Sequence, residues 1–474
     1  MGYIRAMPSI AGPSDAERAL PRVLNLWDAV CVVVGAIIGV GIFFNPRDVA
    51  LISGSASGAM TAWAVGGLVA LLGAVTFAEL GRIRPLAGGQ YYVLRDAYGG
   101  PPAFLFVFCN LTAVQAGGVA IISIVCAQNL AVALHGTAPS EPWTLGVATL
   151  LSWALVGVNV IGVRSGAGLQ NTTVVLKLVT LGAVVVLAAL IGPGAPNVAR
   201  PVGAGPITFS SLFAGVTLTL FAYGGWQQAL WMAGEVRDAG RTVPKAILLG
   251  VAIVVAAYLL ANWAFLDLLG FEGVRRAQAL AADAISVWSP GLGRRIAAAA
   301  VCVSAFGVLN AQFLTGPRLT WAMARDGLFF APFARLSARF ATPAAAIVLL
   351  GVLSTVLTLG LGLARTDLLT TGVVVVDATF FALTGVALPI LRRRDAAPRR
   401  GSAWIAGVAL AFASLELLAI AGSVLQKDVR IVALTGLGWI GAAALTWVLF
   451  FARRGGSARP GPAQSQESSP PAPG

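Results

Sequence analysis

The chain has 474 residues, of which 58% are hydrophobic and only 11% charged, against about 25% charged in an ordinary soluble domain. That composition excludes a soluble globular protein. The alternating pattern of a transmembrane barrel is absent, which leaves an all-α integral membrane protein. The net charge of +13 does not imply a nucleic-acid partner, because the basic residues cluster at the ends of apolar runs.

About twelve apolar intervals follow one another, near 27–52, 58–80, 101–133, 142–162, 168–191, 208–233, 244–269, 293–323, 343–362, 367–391, 402–425 and 430–451. Each approaches or exceeds the roughly 20 residues a helix needs to cross a bilayer. The first begins too late and runs too long for a cleaved signal peptide. Residues 1–24 form an N-terminal segment, 25–391 the first ten spans, 402–451 two further spans, and 455–474 a Gly-, Ser- and Pro-rich tail expected to be disordered. Arg82, Arg84, Arg237, Arg241, Lys245, Arg392, Arg393, Arg394, Arg399 and Arg400 fall on one side of this topology. The other side has fewer basic residues, among them Arg275, Arg276, Arg294 and Arg295. The positive-inside rule then puts both termini in the cytoplasm of a multi-pass protein of a cell inner membrane.

The first span contains GAIIGVGIFFNP, residues 35–46, with Gly35, Gly39 and Gly41 close together and Pro46 behind them. Gly35 and Gly39 are spaced for tight helix packing, and packing alone would account for them. Span six carries a second interruption, Gly224 and Gly225 between Tyr223 and Trp226. Spans one and six correspond if the core is two five-helix halves of opposite orientation, and paired breaks of this kind mark inverted-repeat transporters. An unwound segment frees backbone N–H and C=O groups, which a bilayer tolerates only around a cavity or ligand. The half-helix after a break offers a positive N-terminus to a carboxylate, and the one before it offers carbonyls to an ammonium. A zwitterion of amino acid size satisfies both.

Cys31, Cys109, Cys126 and Cys302 all fall within spans, and the single histidine, His135, lies at a helix end. No cofactor, metal or disulfide framework is expected from that set. Lys177 lies near the middle of span five, where a lysine either snorkels to the interface or serves a function. Asp377 in span ten reads equally as a proton or gating residue and as an interhelical hydrogen-bond partner. Glu416 in span eleven has no assigned role. Glu79 and Glu235, near cytoplasmic helix ends with arginines nearby, read as salt-bridge or gate residues, and Asn310 as a polar packing residue.

Four stretches together carry a family resemblance: GAIIGVGIFFNP, then 77–99 (FAELGRIRPLAGGQYYVLRDAYG), 221–247 (FAYGGWQQALWMAGEVRDAGRTVPKAI) and 310–329 (NAQFLTGPRLTWAMARDGLF). The sequence resembles the amino acid–polyamine–organocation transporters, and within them the L-type amino acid transporter branch and its bacterial relatives. The resemblance implies a LeuT-like fold with a 5+5 inverted repeat and broken helices one and six. It implies that Ile37, Gly39, Val40 and Gly41 line the first break, with the backbone N–H groups of Gly39 to Gly41 on the substrate carboxylate and the Ile37 carbonyl on its amino group. It places Phe221 as a gating aromatic, although without the motif an ordinary core phenylalanine would be the reading. The carbonyls of Phe221 and Ala222 would share the amino group, Gly224 and Gly225 would make room for the substrate side chain, and Gln227 would stand beside the side-chain pocket. Val40 stands where relatives often have Ser, and Gln227 where some have Asn. The external loop HGTAPSEPW, 135–143, lacks the cysteine by which heteromeric animal members link a glycoprotein heavy chain, so no such disulfide-linked partner is expected. Lys177 matches a lysine that replaces the coupling cation in some sodium-independent relatives.

The function expected is secondary transport of L-amino acids with neutral side chains by alternating access, as sodium-independent exchange (antiport) or proton-coupled uptake. The partners expected are the small-molecule substrate and the lipid bilayer. The alternatives are an amine or polyamine permease, which would favour carboxylates in the two breaks, and a membrane-embedded lipid-linked transferase, which would need a carboxylate cluster at a membrane face. Neither feature is present in the sequence. A channel would need a filter sequence, and none is found.

Overall fold

The computed structural model describes residues 20–191, 209–277, 279–287, 293–361, 366–394, 402–425 and 427–452. The N-terminal segment to residue 19 and the tail from residue 453 lie outside them. The described residues are helical, and their only β-type pairing is an isolated bridge between Leu24 and Val236. In chain order the helices are α1 (Leu26–Ile37), α2 (Gly41–Ser53), α3 (Ala56–Ile83), α4 (Gly89–Tyr98), α5 (Gly100–Cys109), α6 (Ala116–His135), α7 (Glu141–Ile161), α8 (Val163–Ile191), α9 (Phe209–Tyr223), α10 (Gln228–Trp231), α11 (Ala239–Arg276), α12 (Leu280–Ser286), α13 (Gly293–Thr315), α14 (Pro317–Arg325), α15 (Ala344–Leu361), α16 (Thr366–Arg394), α17 (Ser402–Leu425) and α18 (Lys427–Thr446). A π-helical turn, Asn110–Gln115, joins α5 to α6.

Among the described residues nine helical segments are long and apolar enough to cross a bilayer, and a tenth span is the pair α1 and α2, bent by 45°. Ser211–Leu220 and Ala344–Gly360 are apolar but shorter. Every apolar interval of the sequence contains a helix. The protein is an all-α, multi-pass membrane protein.

Local chemistry sets the ends that matter. α1 begins in a capping box: Asn25 accepts from the Asp28 N–H at 3.0 Å, and Asp28 accepts from the Asn25 N–H at 2.9 Å. It stops at Ile37, and Ile38 is extended with φ −70° and ψ 90°. α2 then starts at Gly41 with no side-chain cap, so its first N–H groups are not consumed by a neighbouring hydroxyl or carboxylate. α3 is capped by Ser55, which accepts from the Gly58 N–H at 3.0 Å.

Packing draws α1, α3, α8, α9 and α11 around one core. Trp63, Tyr223 and Tyr258 pack at centroid distances of 5.2–5.7 Å on one side of the breaks. Trp226 stacks on Phe381 at 5.5 Å and meets Phe77 and Phe412 edge-on, at 6.5 and 6.2 Å. Such ring pairs contribute roughly 0.5–1.5 kcal/mol each beyond burial. They fix the second broken helix against α3, α11, α16 and α17. The four cysteines are free thiols, and Cys126 Sγ of α6 lies 3.7 Å from Cys302 Sγ of α13.

Candidate functional site

The two breaks meet. At Gly225 φ is +130°, and a Cβ there would sit 2.9 Å from the carbonyl carbon of Ala36 and 3.1 Å from the Ile37 nitrogen. The end of α1 therefore lies against the unwound part of span six at backbone distance. A Cβ on Gly41 would stand 3.5 Å from Cα of Ala222, so the start of α2 faces the end of α9. Asn45 ties the same two elements by donating to the Leu218 carbonyl at 3.1 Å. Ile37, Gly39, Val40, Gly41, Ala222 and Gly225 thus gather at one crossing. Phe221 ends in the last turn of α9, and its side chain lies outside the described residues.

The Cβ direction of Gly225 is filled by Ala36 and Ile37 of α1, so only glycine fits at this crossing. Gln227 is 5% exposed and turns inward, where its Oε1 accepts from the Gly225 N–H at 3.1 Å. It therefore caps the break as an internal hydrogen-bond partner.

The contrast between the glycines is testable. Gly225→Ala meets backbone atoms and a left-handed φ, which costs on the order of 1–3 kcal/mol. Gly41→Ala meets only ordinary van der Waals contacts. Purified Gly225→Ala should melt clearly below the wild type and lose transport, while Gly41→Ala stays close to wild-type stability. Equal melting temperatures for the two would contradict the close approach.

Four carbonyls at the first break are engaged, those of Gly35, Ile37, Ile38 and Gly39. Lys177 of α8, 3% exposed, donates from Nζ to the Gly35 carbonyl at 2.9 Å and to the Ile38 carbonyl at 2.6 Å. It points at the broken helix and away from the interface. Tyr258 of α11 donates its hydroxyl to the Ile37 carbonyl at 3.0 Å. Ser304 of α13 lies 3.1 Å from the Gly39 carbonyl and 3.3 Å from that of Ile38. Tyr258 and Ser304 escaped the sequence reading. Their only signal was a hydroxyl inside an otherwise apolar helix, and their partners lie more than two hundred residues away. A Cβ on Gly307 of α13 would fall 2.8 Å from Lys177 Cε and 2.9 Å from its Nζ, so this glycine leaves the ammonium its space. Asn310 donates to the Gly166 carbonyl at 2.9 Å and to Gln170 Oε1 at 2.8 Å, binding α13 to α8.

At the end of α3, Glu79 accepts from Arg82 Nε at 2.7 Å and from Arg392 Nε at 3.2 Å. Beyond α10, Glu235 accepts two bonds from Arg318 of α14, at 3.0 and 2.9 Å, and both side chains are completely buried. Arg95 and Tyr91 of α4 both bond Asp326. A separate cleft between α2, α6, α12 and α13 is lined by Phe43, Asn129, Arg294, Ala298 and Val301, and contains none of the residues of either break. Among the described residues no three acidic, cysteine or histidine side chains are placed to hold a metal ion.

Comparison with known proteins matches this arrangement to one family. Residues 24–451 fit the family described as "Amino acid permease". The chain is 30% identical over 412 residues to the serine/threonine exchanger SteT of Bacillus subtilis (strain 168), covering 86% of this chain and 90% of that protein. It is 28% identical over 367 residues to the human b(0,+)-type amino acid transporter 1, with 73% of this chain and 72% of that protein covered. It is 28% identical over 348 residues to the human large neutral amino acids transporter small subunit 2, with 71% and 64% covered. The chain belongs to the amino acid permease family, on the L-type branch of the amino acid–polyamine–organocation superfamily, and is a membrane transporter of amino acids, not an enzyme.

Proposed function

We propose that this protein exchanges neutral L-amino acids across a bacterial inner membrane without sodium, with both termini in the cytoplasm and no disulfide-linked heavy chain. The substrate zwitterion is held by backbone. Its carboxylate faces the uncapped N–H groups of Gly39, Val40 and Gly41, and its ammonium faces the carbonyl end of α9 at Phe221 and Ala222, with Ile37 nearby. Residues 25–391 carry the site as two five-helix halves, and residues 402–451 pack outside them. The serine/threonine exchanger among the relatives supports exchange of small neutral substrates. The lack of carboxylates in either break argues against a polyamine.

The observation that carries this reading is Lys177. An ammonium bonded to two carbonyls of the broken helix, 2.9 and 2.6 Å away, is a tethered cation in the place where a free one would need oxygen ligands. A buried lysine needs partners for its N–H groups, and these two carbonyls accept from two of them.

The test is a screen in proteoliposomes loaded with unlabelled amino acids. Neutral L-amino acids should exchange, and the same compounds with the carboxylate amidated should not compete, because the amide brings no charge to the start of α2. Competition by amides or putrescine as strong as that by the parent amino acids would overturn the zwitterion site.

A further inference from the structure

Asp377 and Glu416 take no part in the site above, yet both lie deep in membrane-spanning helices. Glu416 is only 5% exposed. Neither carboxyl has a hydrogen-bond or ion-pair partner among the described residues. The packing of α16 on α17 brings them together. Phe381 meets Phe412 with ring centroids 6.4 Å apart, and a Cβ on Gly385 would lie 2.9 Å from the Ala409 carbonyl oxygen. Those contacts set an antiparallel register. One helical turn further, at the same antiparallel register, Asp377 falls opposite Glu416.

Among the described residues no cation neutralises them. α3, packed on both helices, carries Glu79 and Arg82 at its far end, where Glu79 is bonded to Arg82 and Arg392. Arg392 is roughly 22 Å along α16 from Asp377 at about 1.5 Å per residue. The charged groups of α4, Arg95 and Asp96, bond Asp326 and Arg84. α17 ends about 13 Å past Glu416, and α18 turns back from there with Arg430, exposed to the outside, in its first turn. α6 offers only His135, at its end, and the π-turn and α9 offer no charged group. Two ionised carboxylates in such surroundings repel each other and lose hydration together. One proton shared by the pair removes the repulsion.

We propose that Asp377 and Glu416 form a proton-binding site, with a single proton held between the two carboxyls, and that its loss slows transport. The path to the breaks is short. Phe381 and Phe412, one turn from the pair, both pack on Trp226 beside Gly225. Repulsion between α16 and α17 would shift the rings that hold the second break in place. This rests on the transport reading but is independent of the role of Lys177, which is kept in every variant.

The test uses Asp377→Asn/Glu416→Gln in proteoliposomes, with the best neutral amino acid of the screen as substrate, together with infrared difference spectra of the purified protein between acidic and alkaline pH. Wild-type exchange should fall about tenfold per pH unit once the proton is lost, while the double variant keeps its acidic rate through that range. The protonated-carboxyl C=O band of the wild type should be missing from the double variant. An unchanged pH profile or an unchanged band would overturn the proposal. If the double variant does not fold, Glu416→Gln alone is read by the same two measurements, its amide donating to the Asp377 carboxylate. Absence of exchange in the wild type would reject the transport reading, and the infrared band would still decide the proton.

Discussion

Lys177→Ala is expected to lose most exchange activity while keeping its fold. Two opposing effects make the loss selective. Removing a buried ammonium relieves a desolvation cost of several kcal/mol, and it also removes two charge-assisted hydrogen bonds worth about 1.5–3 kcal/mol each. The net change in stability is therefore small. The Gly35 and Ile38 carbonyls, however, lose the group that fixes the geometry of the first break. Even one such bond, expressed in the transport rate, corresponds to roughly tenfold or more, since about 1.4 kcal/mol is a factor of ten. Gly307→Ala should act in the same direction with the lysine still present, because the new methyl group would meet Cε and Nζ at 2.8 and 2.9 Å. The check is the initial rate of exchange beside the melting temperature in detergent. Full activity in Lys177→Ala would return the residue to an ordinary buried lysine.

The second large effect is on folding. Arg318→Ala leaves the Glu235 carboxylate fully buried with neither of its two bonds. Removing one partner of a buried ion pair costs about 3–5 kcal/mol, whereas replacing both by apolar groups of similar volume is often neutral. Arg318→Ala and Glu235→Ala should each express poorly or melt far below the wild type, and Glu235→Leu/Arg318→Met should recover most of that loss. The measurement is the melting temperature of all four proteins. A double variant as unstable as the sum of the singles would show that the ion pair itself, and not the unpaired charge, sets the stability.

Much of this architecture is legible in the sequence, for a physical reason. Length and apolarity specify helices, and glycine marks where they stop. The first break falls at Ile38–Val40 between α1 and α2, within one residue of the glycine pattern. The approach of Glu235 and Glu79 to arginines is also readable, because a carboxylate near a membrane face needs a partner. The rotation of each helix about its axis is not. These spans are apolar on every side, so periodicity carries little information on which face meets which neighbour. That is why Tyr258 and Ser304 were missed. It is also why the contact of Gly225 with the backbone of α1, and the hydrogen bond from its N–H to Gln227, could not be read from the sequence. The same limit hid the pairing of Asp377 with Glu416, which follows only from the register set by Phe381 and Phe412.

On the proposed mechanism a tethered ammonium, that of Lys177, stands in for a coupling cation at the first break. The most direct test is the initial rate of amino acid exchange by the wild-type protein in proteoliposomes, with sodium replaced by choline on both sides at constant ionic strength. The same rate is expected in both buffers. A rate that falls with sodium and recovers in proportion to added sodium would contradict it.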